Sequence, residues 1–115
     1  MNMQEVATKV GISPDTVRYW ERIGIILPFG RDQQGIRNFS HQDLEWLKYA
    51  KLLNEMEVSL DFQIEYVKLV KLGKKAKPAR KDLLNEQLAK LTASYHCLVE
   101  RIIEMDTMIE KQQSA

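Results

Sequence analysis

Apolar positions recur at helical spacing in four short stretches over the first 72 residues and in one long stretch beyond residue 82. Val6, Ala7 and Val10 line one face of a helix predicted over residues 3–10, which Gly11 breaks. Ser13 is a good N-cap for a second helix, Pro14 suits its first position, and Asp15 places negative charge at its start. That helix runs to about Ile23 and stops at Gly24. Helix, tight glycine-containing turn and helix make a helix-turn-helix. Val17 and Trp20, three residues apart, face the core. Arg18, Tyr19 and Arg22 mix charge with aromatic surface, which suits a flat, anionic and partly apolar partner.

Residues 24–39, GIILPFGRDQQGIRNF, are punctuated by Pro28, Gly30 and Gly35 and cannot continue as helix. RDQQGIRNF has an extended piece on each side of a polar turn, which predicts a small hairpin carrying Arg31 and Arg37. Ser40 caps a third helix over HQDLEWLKYAKLLNEM. Its apolar positions are Leu44, Leu47, Ala50, Leu52 and Leu53, with Trp46 and Tyr49 beside them as packing residues rather than a ligand box. Ser59 caps a fourth helix anchored by Phe62, Ile64, Val67 and Val70. Together these pieces supply one small core.

KLGKKAKPARK, residues 71–81, is basic and without acid. It reads as a solvated linker, with contact to backbone phosphate as the other reading; screening makes either salt-dependent. Beyond it, Leu84, Leu88, Leu91, Tyr95, Leu98, Ile102, Met105 and Ile109 alternate spacings of 4 and 3. This is a heptad seam. Alone in water it leaves a long apolar stripe, and the chain has no second helix of matching length. The pattern predicts a homodimer without fixing parallel or antiparallel pairing. The expected organisation is a DNA-binding unit over 1–72, a basic linker over 73–81, a dimerisation helix over 82–112 and a tail over 113–115.

Composition changes little. With 17 basic and 16 acidic side chains the net charge is +1, so total charge does not point to nucleic acid. No apolar run is long enough to span a bilayer, and none resembles a signal peptide. A single cysteine, Cys97, excludes an internal disulfide framework and fits a reducing cytoplasm. No paired carboxylates, Ser/His/Asp set, glycine-rich phosphate loop or metal cluster is visible, so an enzyme is not expected.

Two copies of a helix-turn-helix with a hairpin wing, joined by a coiled coil, can place recognition helices in successive major grooves of a palindromic site. Thr16, Arg18 and Tyr19 then lie on the helix that enters the groove, and the wing meets the backbone. Arginine either reads guanine edges or clamps phosphate. Arg22 reads equally as a DNA contact or as a surface charge paired with Glu21 or Asp15. One of Arg31 and Arg37 can pair with Asp32, and Phe39 reads either as wing core or as a sugar-phosphate contact.

The stretch QEVATKVGISPDTVRYWERIGIILP and the following RDQQGIRNFSHQDLEWLKYAKLL resemble the MerR family of bacterial transcription regulators. The matching signature covers residues 6–47, continues to about Leu72, and is followed by a helix where the family dimerises. The resemblance implies a mainly α chain: a winged helix-turn-helix and a dimerisation helix in an antiparallel coiled coil. It also implies a homodimer that bends and untwists a long promoter spacer for bacterial RNA polymerase, which is readout by deformation. Matched by position, DNA contacts would be Thr16, Arg18, Tyr19, Arg31, Arg37 and Phe39. The family most often has Tyr where this chain has Trp20 and Phe39, and GIR stands where many members have Gly-Tyr-Arg. An architectural or excisionase-like DNA-bending factor is the alternative.

No cysteine stands near the end of the long helix, where metal-responsive members bind soft metals. His96 and Cys97 are adjacent and point apart, so no metal or other cofactor is expected. IEYVKLVKLGKKAKPARKDLLNEQ resembles a small-chain subgroup linked to aldehyde and thiol stress, but Leu52 stands where that subgroup has its helix-three cysteine. A small-molecule or redox effector is expected. Cys97, just off the seam near mid-helix, is the candidate for a redox-sensitive disulfide between protomers, against a packing role.

Overall fold

The computed structural model describes residues 1–28 and 30–114. It divides into two units, Met1–Arg80 and Lys81–Ala115.

The first unit is built from capped helices. α1, Met3–Val10, starts at Asn2, whose side chain accepts from the Glu5 amide, and ends at Gly11 in the left-handed region. α2, Pro14–Ile23, starts at Ser13 and ends at Gly24, with φ 85°. α3, His41–Glu55, opens with a reciprocal capping box: Asp43 N–H donates to Ser40 Oγ at 3.1 Å and Ser40 N–H to Asp43 Oδ2 at 2.9 Å. α4, Leu60–Lys71, is capped by Ser59. These four helices begin and end within a residue of the positions expected from their caps and periodicity.

The core gathers Val6, Val10, Val17, Trp20, Ile25, Ile26, Phe39, Leu44, Leu47 and Ala50. α1 packs on α2 and on α3. Trp46 is half-buried, donates from Nε1 to the Ile25 carbonyl at 3.4 Å and stacks with Tyr66 at 6.3 Å between centroids.

Five expectations need correction. Tyr49 and Leu52 are exposed rather than packed. With Met56 they form a second stripe at i, i+3 and i+7, about opposite the face that carries Leu44 and Leu47. In α4, Phe62, Ile64 and Val70 are half-buried; the deeply buried positions are Val67 and Gln63. Gln63 is stable there because its amide is satisfied. It donates to the Val58 carbonyl at 3.1 Å and accepts from Asn54 at 3.3 Å.

The basic stretch is also more ordered than a linker. After Gly73 comes a 3-10 turn, Lys74–Ala76, and α5 begins at Lys77 rather than at residue 82. Pro78 does not break it, because the first turn of a helix needs no proline N–H. At the far end α5 continues through the expected tail to Ser114; Ala115 lies outside the described residues. Finally, the hairpin is reduced to an isolated antiparallel bridge between Arg31 and Arg37, with no strand among the described residues.

Over its 38 residues α5 buries no side chain fully. The eight seam positions are between 40% and 65% exposed, so the stripe expected from the heptads stands open along this chain.

Candidate nucleic-acid interface

α2 is two-faced. Val17 and Trp20 are buried, Trp20 at 7% exposure. Asp15, Arg18, Tyr19 and Arg22 follow i, i+3, i+4 and i+7, which puts them on one outward face. Arg18 donates from Nη1 to Asp15 Oδ1 at 2.9 Å. The Arg22 guanidinium carbon sits 5.4 Å from the Tyr19 ring centroid, a cation–π arrangement. Asp15 therefore partners Arg18 rather than Arg22, and Glu21 turns elsewhere.

Thr16 is half-buried at the helix start. Its N–H donates to Ser13 Oγ at 3.1 Å, and the two hydroxyl oxygens lie 2.9 Å apart. The cap thus engages the hydroxyl that the sequence reading assigned to DNA.

The wing is shaped by Asp32. Its Oδ1 accepts from the Gln34 and Ile36 amides at 2.9 and 3.0 Å. Asp32 N–H donates to the Ile36 carbonyl at 2.8 Å, and Gly35 N–H to the Asp32 carbonyl at 3.0 Å. Asp32 is thus occupied with backbone and pairs with neither arginine. Arg31 donates to the Gly35 carbonyl at 3.0 Å. Arg37 reaches back to α2, where its Nε and Nη2 meet the Glu21 carboxylate at 3.3 and 3.4 Å.

Phe39 is the site residue that the structure removes. At 3% exposure its side chain belongs to the core cluster, so the ring is no surface contact. Two roles are not visible in the sequence. Ile36 projects at 58% exposure from the wing, and Glu21 joins wing to α2. Ile36 was visible only as the residue before Arg37. Glu21 and Arg37 are too far apart in sequence to be paired by inspection.

Together the elements present Arg18, Tyr19 and Arg22 from a helix and Arg31, Arg37 and Ile36 from an adjoining turn. A cationic, partly apolar surface on a helix-turn-helix is the chemistry that duplex DNA accepts. The profile of the MerR HTH family regulatory proteins matches residues 1–68. The chain belongs to the MerR family. It is 34% identical to the HTH-type transcriptional regulator AdhR of Bacillus subtilis over 91 residues, covering 79% of this chain and 65% of AdhR. An uncharacterised HTH-type transcriptional regulator of Pseudomonas aeruginosa is 31% identical over 115 residues, covering 98% of this chain and 80% of that protein. Among solved structures, a Listeria monocytogenes protein classed with the MerR family transcriptional regulators superposes with a TM-score of 0.83 at 33% identity, covering 95% of this chain and 83% of that one. HiNmlR, a MerR family regulator lacking the sensor domain and bound to promoter DNA, gives 0.75 at 24% identity over 99% and 90% of the two chains. That last likeness is one of fold.

Cys97 of this MerR-family chain is free and exposed. At about 100° per residue it stands about 100° round the helix from Leu98 and about 160° from Tyr95. It lies outside the seam, so helix geometry does not favour the candidate Cys97–Cys97 disulfide. Its neighbour His96 makes an edge contact with Tyr95 at 5.9 Å. No helix among the described residues is long and apolar enough to cross a membrane.

Proposed function

We propose that this protein is a cytoplasmic, homodimeric transcription regulator that binds a two-fold-related promoter site, bends and untwists the spacer, and so adjusts the promoter for RNA polymerase. The observation that carries the proposal is the outward stripe Asp15–Arg18–Tyr19–Arg22 on α2, with Arg37 of the wing joined to the same helix through Glu21. Base readout falls to Arg18, seconded by Tyr19 and Arg22. Backbone contact falls to Arg31 and Arg37, and Thr16 contributes at the helix N-terminus.

The homodimer is supported by the open seam from Leu84 to Ile109. A stripe of leucine, isoleucine and methionine stabilises an assembly once covered, at about 25 cal/mol per Å² of apolar surface removed from water. A closed two-fold pair covers the same stripe on both copies. The fold shared with promoter-bound HiNmlR supports the promoter as target. The excisionase-like reading gains nothing from the relatives, which are transcription regulators.

Sedimentation of the protein with its own upstream DNA tests the stoichiometry, and gel mobility of circularly permuted fragments tests the bend. Two copies per site and mobility that depends on site position are expected. One copy per site, or straight DNA, contradicts the proposal.

A further inference from the structure

Arg31 and Arg37 oppose each other in an isolated antiparallel bridge of the wing. Directly opposed residues project on the same face, where like charges destabilise. Two cations held there with no strand around them are poorly placed for folding alone and well placed for a polyanion. Arg31 settles on the Gly35 carbonyl at 3.0 Å. Arg37 crosses to Glu21 instead, at 3.3 and 3.4 Å, and the two side chains are each 22% exposed. This is the least exposed ion pair among the described residues and the one that bridges sequence-distant elements.

The geometry of the pair is side-on. Glu21 takes the Nε–H and one Nη2–H of Arg37. A guanidinium has five N–H donors, so three remain, including both on Nη1. Those three are enough for a phosphate, which accepts two from one arginine edge.

We infer that Glu21 is a positioning residue for DNA binding: it grips Arg37 by its Nε–Nη2 edge and leaves the Nη1–Nη2 end for a backbone phosphate. The inference rests on the DNA-binding reading above. Its consequence runs against simple Coulomb repulsion. A carboxylate beside DNA repels phosphate, so its removal tightens binding if charge is all that matters. If Glu21 positions Arg37, its removal weakens binding, because a flexible arginine must then be ordered in the complex.

The test compares wild type, Glu21→Gln, Arg37→Ala and the double variant on the protein's upstream promoter DNA by fluorescence anisotropy over a range of salt, with urea unfolding alongside. Glu21→Gln is expected to weaken binding about three- to tenfold. The salt slope should fall toward that of Arg37→Ala, which loses about 0.9 for one phosphate contact. The double variant should bind like Arg37→Ala alone. Unchanged or tighter binding by Glu21→Gln overturns the inference. So does additivity with Arg37→Ala, because a merely structural Glu21 acts without regard to Arg37. Should Glu21→Gln not fold, Glu21→Asp, which withdraws the carboxylate by one methylene, is read in the same way. Wild type that binds no DNA removes the functional reading itself, whereas tight wild-type binding with an indifferent Glu21→Gln removes the inference alone.

Discussion

Arg18 and Asp15 form an ion pair at 2.9 Å on the outward face of α2, with the Asp15 side chain 94% exposed. Such a pair contributes about 0–1 kcal/mol to folding. Its use is therefore better sought outside the folded core. Arg18→Ala is expected to leave the unfolding midpoint within error while weakening binding to the promoter by about 1–3 kcal/mol, about five- to 150-fold. Equilibrium unfolding and DNA titration on the same preparation check both halves. Loss of stability with unchanged DNA affinity would place Arg18 on the wrong side of the account.

The seam on α5 makes a prediction about assembly. Leu98→Lys puts an ammonium among residues that a partner would bury, which is costly unless the charge is paired. The variant should sediment as a monomer at concentrations where wild type is a dimer, with its helix-turn-helix unit still folded by circular dichroism. Cys97→Ser should behave as wild type in the same experiment. Mild oxidant should give no covalent dimer of wild type, since Cys97 stands off the seam. A disulfide-linked dimer would reverse that conclusion.

Gln63 supports the fold rather than the surface. Gln63→Leu removes the acceptor of the Asn54 amide and the donor to the Val58 carbonyl. Asn54 keeps its bond to the Ala50 carbonyl at 2.7 Å, so the loss is partial. A drop in unfolding free energy of about 1–3 kcal/mol is expected, with an unchanged salt slope for DNA binding. A stabilised variant would show that the buried amide network is dispensable.

Gly24 ends α2 at φ 85°, and a Cβ there would meet nothing within 4 Å. Gly24→Ala therefore isolates the backbone cost, about 1–2 kcal/mol, and Gly24→Asn should lose less, because asparagine tolerates the left-handed region. Urea unfolding of the two variants decides it. Equal stability of all three proteins would show that the cap relaxes freely.

What was legible in the sequence was local. Ser13, Pro14 and Gly24 act within a turn of helix, so their reading needed no tertiary knowledge. The seam is a periodic pattern and survives for the same reason. Phe39 and Leu52 show where periodicity stops: both are apolar, yet the core takes one and leaves the other in solvent, and the choice depends on which face of the hairpin and of α3 meets α1. The basic stretch around Pro78 reads as a linker because pattern does not fix Pro78 within the first turn of α5. Glu21 and Arg37 lie 16 residues apart. Their pairing depends on the path of the turn between α2 and the wing, and residue spacing carries no trace of it.

The central claim, that the face carrying Arg18, Tyr19 and Arg22 reads promoter DNA, is tested most directly by titrating purified protein onto its own upstream promoter fragment and onto random DNA of equal length, with salt as the variable. The account predicts binding that favours the promoter, falls steeply with salt through displaced phosphate counterions, and loses its preference in Arg18→Ala. Equal affinity for both DNAs in wild type, or a preference that survives Arg18→Ala intact, would contradict it.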